Sequence, residues 1–94
     1  MRTNHQIKVE QQSEDEDKFV FDVSVEGDRS SSHAVTVDKD YYKKLTDGEE
    51  PAGNLVKRSF KFLLQREPQS AILSEFNLSL IQEYFSEYES KLKN

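Results

Sequence analysis

Lys18-Phe-Val-Phe-Asp-Val-Ser-Val25 is the stretch of sequence that decides the fold class of this chain. Every second residue from Phe19 to Val25 is apolar, and Val20 is the only apolar residue between them. Side chains alternate between the two faces of a β-strand, so this spacing places the apolar residues on one face and Asp22 on the other. The stretch therefore predicts a strand with one face in the core and the other in water.

Two flanking segments repeat this period of two over a shorter length. Residues 5–12 alternate through one isoleucine and one valine, which is typical of an edge strand, and residues 33–37 alternate through two valines. Residues 11–18 and 26–32 join these strands, hold no apolar side chain and are predicted to be mobile loops. Loops of this size connect antiparallel neighbours, so the three strands are predicted to form an antiparallel meander.

After residue 37 the apolar period changes from two to about 3.6, which is the period of a helix. Helix starts are marked by Asp38, by Pro51 and by the capping-box pair of Ser79 and Gln82. The predicted helices cover residues 38–45, 51–66, 68–76 and 80–92. The C-terminal half of the chain is therefore predicted to be helical.

These elements predict an α+β fold, in which a three-stranded antiparallel meander is followed by a helical C-terminal half that packs on one sheet face. The chain has 94 residues, which is enough for a single domain over residues 1–94 with one core and too few for two domains. The predicted core consists of Phe19, Phe21, Val23, Val35, Val37, Val56, Phe60, Leu63, Leu64, Ile72, Ile81, Phe85 and Tyr88.

The composition limits the environment and the partners of the chain. It contains no Cys, which excludes disulfides and thiolate metal sites. The sequence has no apolar run of the length of a signal peptide or a membrane span, so we expect a cytoplasmic protein without a membrane partner. The net charge of −5 argues against indiscriminate nucleic-acid binding, which depends on Lys and Arg.

A longer pattern in the second half of the chain resembles a known group of proteins. Its parts are His33-Ala-Val-Thr-Val37, Tyr41, Leu45, Ser59-Phe-Lys-Phe-Leu-Leu-Gln-Arg-Glu-Pro68, Ile72, Leu73, Phe76 and Tyr84-Phe-Ser-Glu-Tyr88. Together they resemble a family of short uncharacterised prokaryotic proteins over about residues 33–94. The resemblance implies a compact domain of a prokaryotic cytoplasm, and it implies no activity, cofactor or ligand.

Few residues have the chemistry of a catalytic or metal-binding site. The two imidazoles, His5 and His33, lie on separate predicted strands and lack the spacing of a metal ligand set. Residues 30–32 are serines close to His33, but neighbours in a polar loop rarely form the oriented pair that nucleophilic catalysis needs. With three Gly in the chain there is no phosphate-binding loop or dinucleotide fingerprint. The sequence therefore predicts no catalytic residue, no metal site and no cofactor.

The helix predicted over residues 51–66 has more apolar surface than a small sheet can cover. On a helical wheel its apolar residues span roughly 200° of the circumference. Leu55 and Phe62 lie at one end of this arc and are predicted to be exposed there. The sequence therefore favours a non-catalytic protein-interaction module, which self-associates as a homodimer or binds another protein through Leu55 and Phe62.

The alternative function is a nucleic-acid-binding regulator. Its phosphate contacts would come from a basic strip of Lys57, Arg58 and Lys61, with Lys43 and Lys44 on the preceding helix. An exposed strip of Lys is also the ordinary solvated side of a half-buried helix, so nucleic acid ranks below protein as a partner. A small enzyme or metal-binding protein ranks third.

Overall fold

The computed structural model describes residues 6–27 and 29–92, in which strands are followed by helices along the chain. In chain order the elements are β1 (Gln6–Glu14), β2 (Lys18–Glu26), β3 (Ser30–Asp38), α1 (Lys39–Thr46), α2 (Ala52–Arg66), β4 (Glu75–Asn77), α3 (Leu80–Tyr84) and α4 (Tyr88–Leu92). A single 3₁₀ turn, Gln69–Ala71, lies between α2 and β4. Within the described residues, no helix is both long enough and apolar enough to cross a bilayer.

The three long strands form the predicted antiparallel meander. β1 pairs with β2 and β2 pairs with β3, so that Val9, Val23 and His33 stand opposite one another in one row. One face of this sheet is buried against the helices, because Val23 and Val35 are fully buried while Asp22, on the other face, is only half-buried. The prediction of an α+β fold with a helical C-terminal half is confirmed.

Both predicted loops are shorter than residues 11–18 and 26–32, because the strands run into them. β1 continues to Glu14, and β3 begins at Ser30, which stands opposite Glu26. Ladder hydrogen bonds join backbone groups, so polar residues extend a strand once the neighbouring strand is in place. The apolar pattern found the centres of these strands and not their ends.

A fourth strand, β4, replaces the second part of the helix predicted over residues 68–76. It pairs in parallel with β3, with Phe76 opposite Val35. The Ala34 N–H donates to the Ser74 carbonyl at 2.8 Å and extends this pairing by one residue. A strand of three residues is too short to display a period of two, so the sequence pattern could not reveal it.

The helix predicted over residues 80–92 is interrupted, and it forms the two short helices α3 and α4. In an unbroken helix Tyr84 and Tyr88 would share one face, but Tyr84 is 69% exposed and Tyr88 is 0% exposed. Gln82 Oε1 accepts a backbone N–H of α4 at 2.9 Å. Gln82 therefore supports the start of α4, and the predicted capping box fails because the Ser79 side chain makes no cap hydrogen bond.

Most of the predicted core residues are buried, and the helices predicted over residues 38–45 and 51–66 are present as α1 and α2. The exceptions in the core are half-buried: Phe19, Leu64 and Phe85. The core also contains residues that were not predicted: Val25, Leu45, Ala52, Leu55, Phe62, Phe76, Leu78 and Leu92.

Candidate protein-interaction groove

An apolar groove of about 360 Å³ opens between the end of α2, residues 71–73 and α3. Its floor consists of four buried apolar side chains, Leu63, Ile72, Phe76 and Ile81. Leu73 and Tyr84 stand at its rim, where they are 48% and 69% exposed. No other large hydrophobic side chain within the described residues is classed as exposed. The exposed apolar surface of the molecule is thus concentrated at this apolar groove.

Residues 71–73 form one wall of the apolar groove. The chain just before this wall is attached to the meander by the side chain of Gln69, which is 8% exposed. Its Nε2 donates to the carbonyls of Val25 at 3.2 Å and Arg29 at 3.0 Å, and it lies 2.8 Å from Ser31 Oγ. These acceptors lie at the end of the β2–β3 hairpin. A single buried amide therefore holds the chain after α2 against the sheet.

His33 makes the second attachment of the same wall. Its Nδ1 lies 2.7 Å from the Leu73 carbonyl and its Nε2 lies 2.8 Å from Ser31 Oγ. A carbonyl only accepts, so Nδ1 carries the proton and, in the neutral ring, Nε2 accepts the Ser31 hydroxyl. The carbonyl of Leu73, a rim residue of the apolar groove, is thus held by a histidine that is 3% exposed.

The contact between Ser31 and His33 is the one arrangement in the fold that resembles catalytic geometry. An oriented histidine that accepts a serine proton is the basis of nucleophilic catalysis. Ser31 lies on β3, however, and not in the loop predicted over residues 26–32. Neither side chain lines the apolar groove or the basic groove described below. Their hydrogen bonds join β3 to the chain around Gln69 and Leu73, and we assign them to anchoring.

Tyr88 attaches α4 to α2. Ser59 Oγ donates to the Leu55 carbonyl at 2.8 Å, so the Tyr88 hydroxyl, 2.6 Å from Ser59 Oγ, is the donor in their contact. Burial raises the pKa of the Tyr88 hydroxyl. Tyr88 therefore remains a neutral donor. Its hydroxyl is bound at α2 while Tyr84 is exposed, and one continuous helix would place both side chains on the same face.

The surroundings of the apolar groove are acidic. Residues 67–90 contain five Glu and no Lys, Arg or His. Glu67 lines the groove itself, and Glu75 and Glu83 are exposed on β4 and α3, the elements that carry part of its lining. The groove therefore combines an apolar floor with a negative rim.

The predicted interface at Leu55 and Phe62 is not exposed. Leu55 is 0% exposed and Phe62 is 6% exposed. The ring centroid of Phe62 lies 5.8 Å from that of Phe85 and 5.3 Å from that of Tyr88. The expectation of exposure was wrong, and at Phe62 the reason is that Phe85 and Tyr88 of the C-terminal segment pack on its ring.

The predicted basic strip is only partly assembled. Lys57 and Lys61 are exposed on α2, as Lys43 is on α1. Arg58, in contrast, is bound to a carboxylate of the preceding loop, and Lys44 is paired at 3.0 Å with a carboxylate of α4. Two of the five predicted charges are therefore offset within the molecule.

A second groove, of about 320 Å³, lies beside this strip and is called the basic groove. It is lined by Arg58, Lys61, Phe62, Gln65, Arg66, Lys91 and Leu92. The sequence singled out Arg58 and Lys61 among these cations and missed Arg66 and Lys91. Lys91 joins them through the tertiary packing of α4, which spacing along α2 does not reveal.

No group of three or more His, Cys, Asp or Glu in residues 6–27 and 29–92 is arranged to hold a metal ion. His5, one of the two imidazoles considered from the sequence, lies outside the described residues.

Comparison with known proteins identifies no relative. No family model, no curated protein and no solved structure matches this chain. The resemblance of residues 33–94 to short prokaryotic proteins stays a prediction, and function has to be argued from the grooves.

Proposed function

We propose that the protein is a non-catalytic interaction module that binds a short apolar segment of another protein in the apolar groove. The observation that supports this proposal is the concentration of exposed apolar surface at Leu73 and Tyr84, directly beside a preformed apolar floor. Exposed apolar surface on a soluble domain is a frequent mark of a binding site.

The size of the apolar groove supports a short segment as the occupant. Its volume of about 360 Å³ is at the lower end of the range of about 300–1,000 Å³ seen for ligand sites. One or two large apolar side chains fill a space of this size. Because Gln69 and His33 already hold one wall in place, little of the binding free energy is spent on ordering the site.

The charge around the apolar groove selects the chemistry of the partner. A rim with Glu67 and with Glu75 and Glu83 nearby favours Lys or Arg beside the apolar anchor of the partner. It disfavours two copies of this chain meeting groove to groove, because their carboxylates would approach one another. The proposed occupant is therefore a segment of a different protein that carries a large apolar side chain flanked by basic residues.

The experiment is a selection of random displayed peptides on the full chain. We expect the enriched peptides to combine an aromatic or aliphatic anchor with Lys or Arg, and to lose about tenfold or more in affinity for the Leu73→Ser and Tyr84→Ser variants. Both side chains are exposed, so these variants are expected to fold. Val20→Ser, on the opposite face of the sheet, is the matched control.

The charge of the partner is tested separately with Glu67→Gln. This change should weaken the enriched peptides and reduce the salt dependence of their binding, whereas Glu10→Gln on β1 should do neither. Enrichment of peptides without basic residues would contradict the charge argument. If the wild-type chain sediments as a dimer that Leu73→Ser dissociates, the occupant is a second copy and the proposal is wrong.

A further inference from the structure

The basic groove is a second candidate site, and it shares no lining residue with the apolar groove. We propose that it binds a compact phosphoryl group, either as a free phosphate compound or on a phosphorylated side chain. The proposal is independent of the function proposed for the apolar groove.

The guanidinium of Arg66 is held in place by its surroundings. It lies over the ring of Phe62, 3.7 Å from the ring centroid, and its Nε donates to Glu87 at 3.2 Å. Its Nη1 contacts the Phe62 carbonyl at 3.4 Å. A guanidinium has five N–H donors, so donors remain for a ligand on a group whose orientation is already fixed.

Arg58, which precedes Arg66 on the same helix α2, is also held in place. Its Nε and Nη2 both donate to the carboxylate of Glu50, and Nη2 also donates to the Leu92 carbonyl at 3.0 Å. The Nη1 group makes no such contact within the described residues. Two oriented arginines therefore present free N–H donors, which is the arrangement that recognises phosphoryl and carboxylate oxygens.

The two lysines supply charge that no ion pair offsets, and Lys91 interacts with the Glu87 carboxylate only at longer range. Four cationic side chains line the basic groove, and Arg58 and Arg66 are paired with carboxylates. Neither Lys61 nor Lys91 has a carboxylate within 4.0 Å in the part of the chain that the structure describes. A phosphoryl group carries a charge of about −1.5 to −2 and three acceptor oxygens, which suits two free ammonium groups and the two guanidiniums.

A small anion fits this protein better than a nucleic-acid chain. The molecule has a net charge of −5, and charges act over only about 8 Å at physiological ionic strength. A phosphoryl group within the groove is therefore affected mainly by the charges at the groove, where four cations outnumber the two carboxylates of Glu50 and Glu87. A long polyanion would also pass over acidic parts of the surface, and it would gain little from the release of counterions.

The experiment is a titration of the ¹⁵N-labelled chain, followed by amide chemical shifts, with inorganic phosphate, a phosphoserine peptide and duplex DNA. Phosphate and the peptide should shift amides around Arg58, Lys61 and Lys91. Lys61→Ala and Lys91→Ala should each weaken this binding about tenfold, and Lys61→Arg should retain it. Lys57→Ala, on the same helix but outside the lining, is the matched control.

The outcomes decide between the alternatives. Tighter binding of the peptide than of free phosphate identifies a phosphorylated protein as the source, and equal binding identifies a free phosphate compound; both support the site. Equal losses in the Lys57→Ala and Lys61→Ala variants would show unspecific surface charge and overturn it. Duplex DNA that binds more tightly than phosphate, with a steep salt dependence, would overturn it in favour of a nucleic-acid surface. Absence of any shift with phosphate would also overturn it.

Discussion

Residues 6–66 and residues 67–92 form two regions that are stabilised in different ways. The first contains strands of nine residues and a helix of fifteen, and its apolar side chains follow the period of those elements. The second contains a strand of three residues and two helices of five. Helices this short are not stable in isolation, so the second region depends on contacts with the first.

Those contacts are made in large part by individual polar side chains. Gln69 and His33 hold the chain after α2, and Tyr88 holds α4 by its hydroxyl. Both grooves lie where the second region packs on α2. The candidate sites of this protein therefore lie at the boundary between a region specified by apolar periodicity and a region held by single hydrogen bonds.

The largest predicted effect comes from Phe60, which joins the two regions. It is 0% exposed, and its ring centroid lies 5.4 Å from that of His33 on β3 and 6.0 Å from that of Phe76 on β4. Phe60→Ala should lower the free energy of unfolding by about 3–5 kcal/mol, measured by urea denaturation. Phe85→Ala, in the second region, should cost clearly less because Phe85 is half-buried. Equal losses for the two variants would show that the two regions do not differ in how they are stabilised.

Much of the first region was predictable from the sequence. The alternation around Phe21 and the change of period after residue 37 depend only on local geometry, and they located three strands and two helices. The second region was not predictable in the same way, because β4 and the break after Tyr84 arise from contacts distant in sequence. The grooves were missed for the same reason: Leu73 and Tyr84 line one groove only because the chain is folded back between β4 and α3.

The second prediction concerns Gln69, which carries the attachment of the second region. Gln69→Ala leaves the Val25 and Arg29 carbonyls without this donor and should cost about 1–3 kcal/mol. The loss should be local: exchange of the Ala34 amide, which donates to Ser74, should accelerate, while amides between β1 and β2 keep their protection.

Gln65→Ala on the exposed side of α2 is the control for this variant, and it should leave the exchange of Ala34 unchanged. If the Ala34 amide exchanges at the wild-type rate in Gln69→Ala, the buried amide does not hold the second region. If every amide accelerates equally, the two regions unfold as one unit.

The smallest predicted effect tests whether burial, rather than the hydrogen bond itself, gives Gln69 its importance. Asp15 closes the turn between β1 and β2 in a comparable way, since its Oδ1 accepts the backbone N–H of Asp17 at 2.8 Å and of Lys18 at 2.9 Å. These bonds lower the pKa of the Asp15 carboxyl, and the bond from Asp17 has the largest effect. The side chain is exposed, however, so water replaces the bonds when they are lost.

The effect of Asp15 should depend on pH. Because the folded pKa is the lower one, the stabilisation is present above the unfolded value of about 3.9 and is lost as the pH falls through the folded pKa. Asp15→Ala should therefore shift the urea midpoint slightly at pH 6 and by less as the pH falls through the folded pKa. The effect of Asp15→Asn, which retains an acceptor oxygen without a titrating group, is measured at the same pH values as the control. A loss of stability in Asp15→Ala as large as that in Gln69→Ala would show that burial does not decide how much these two side chains contribute.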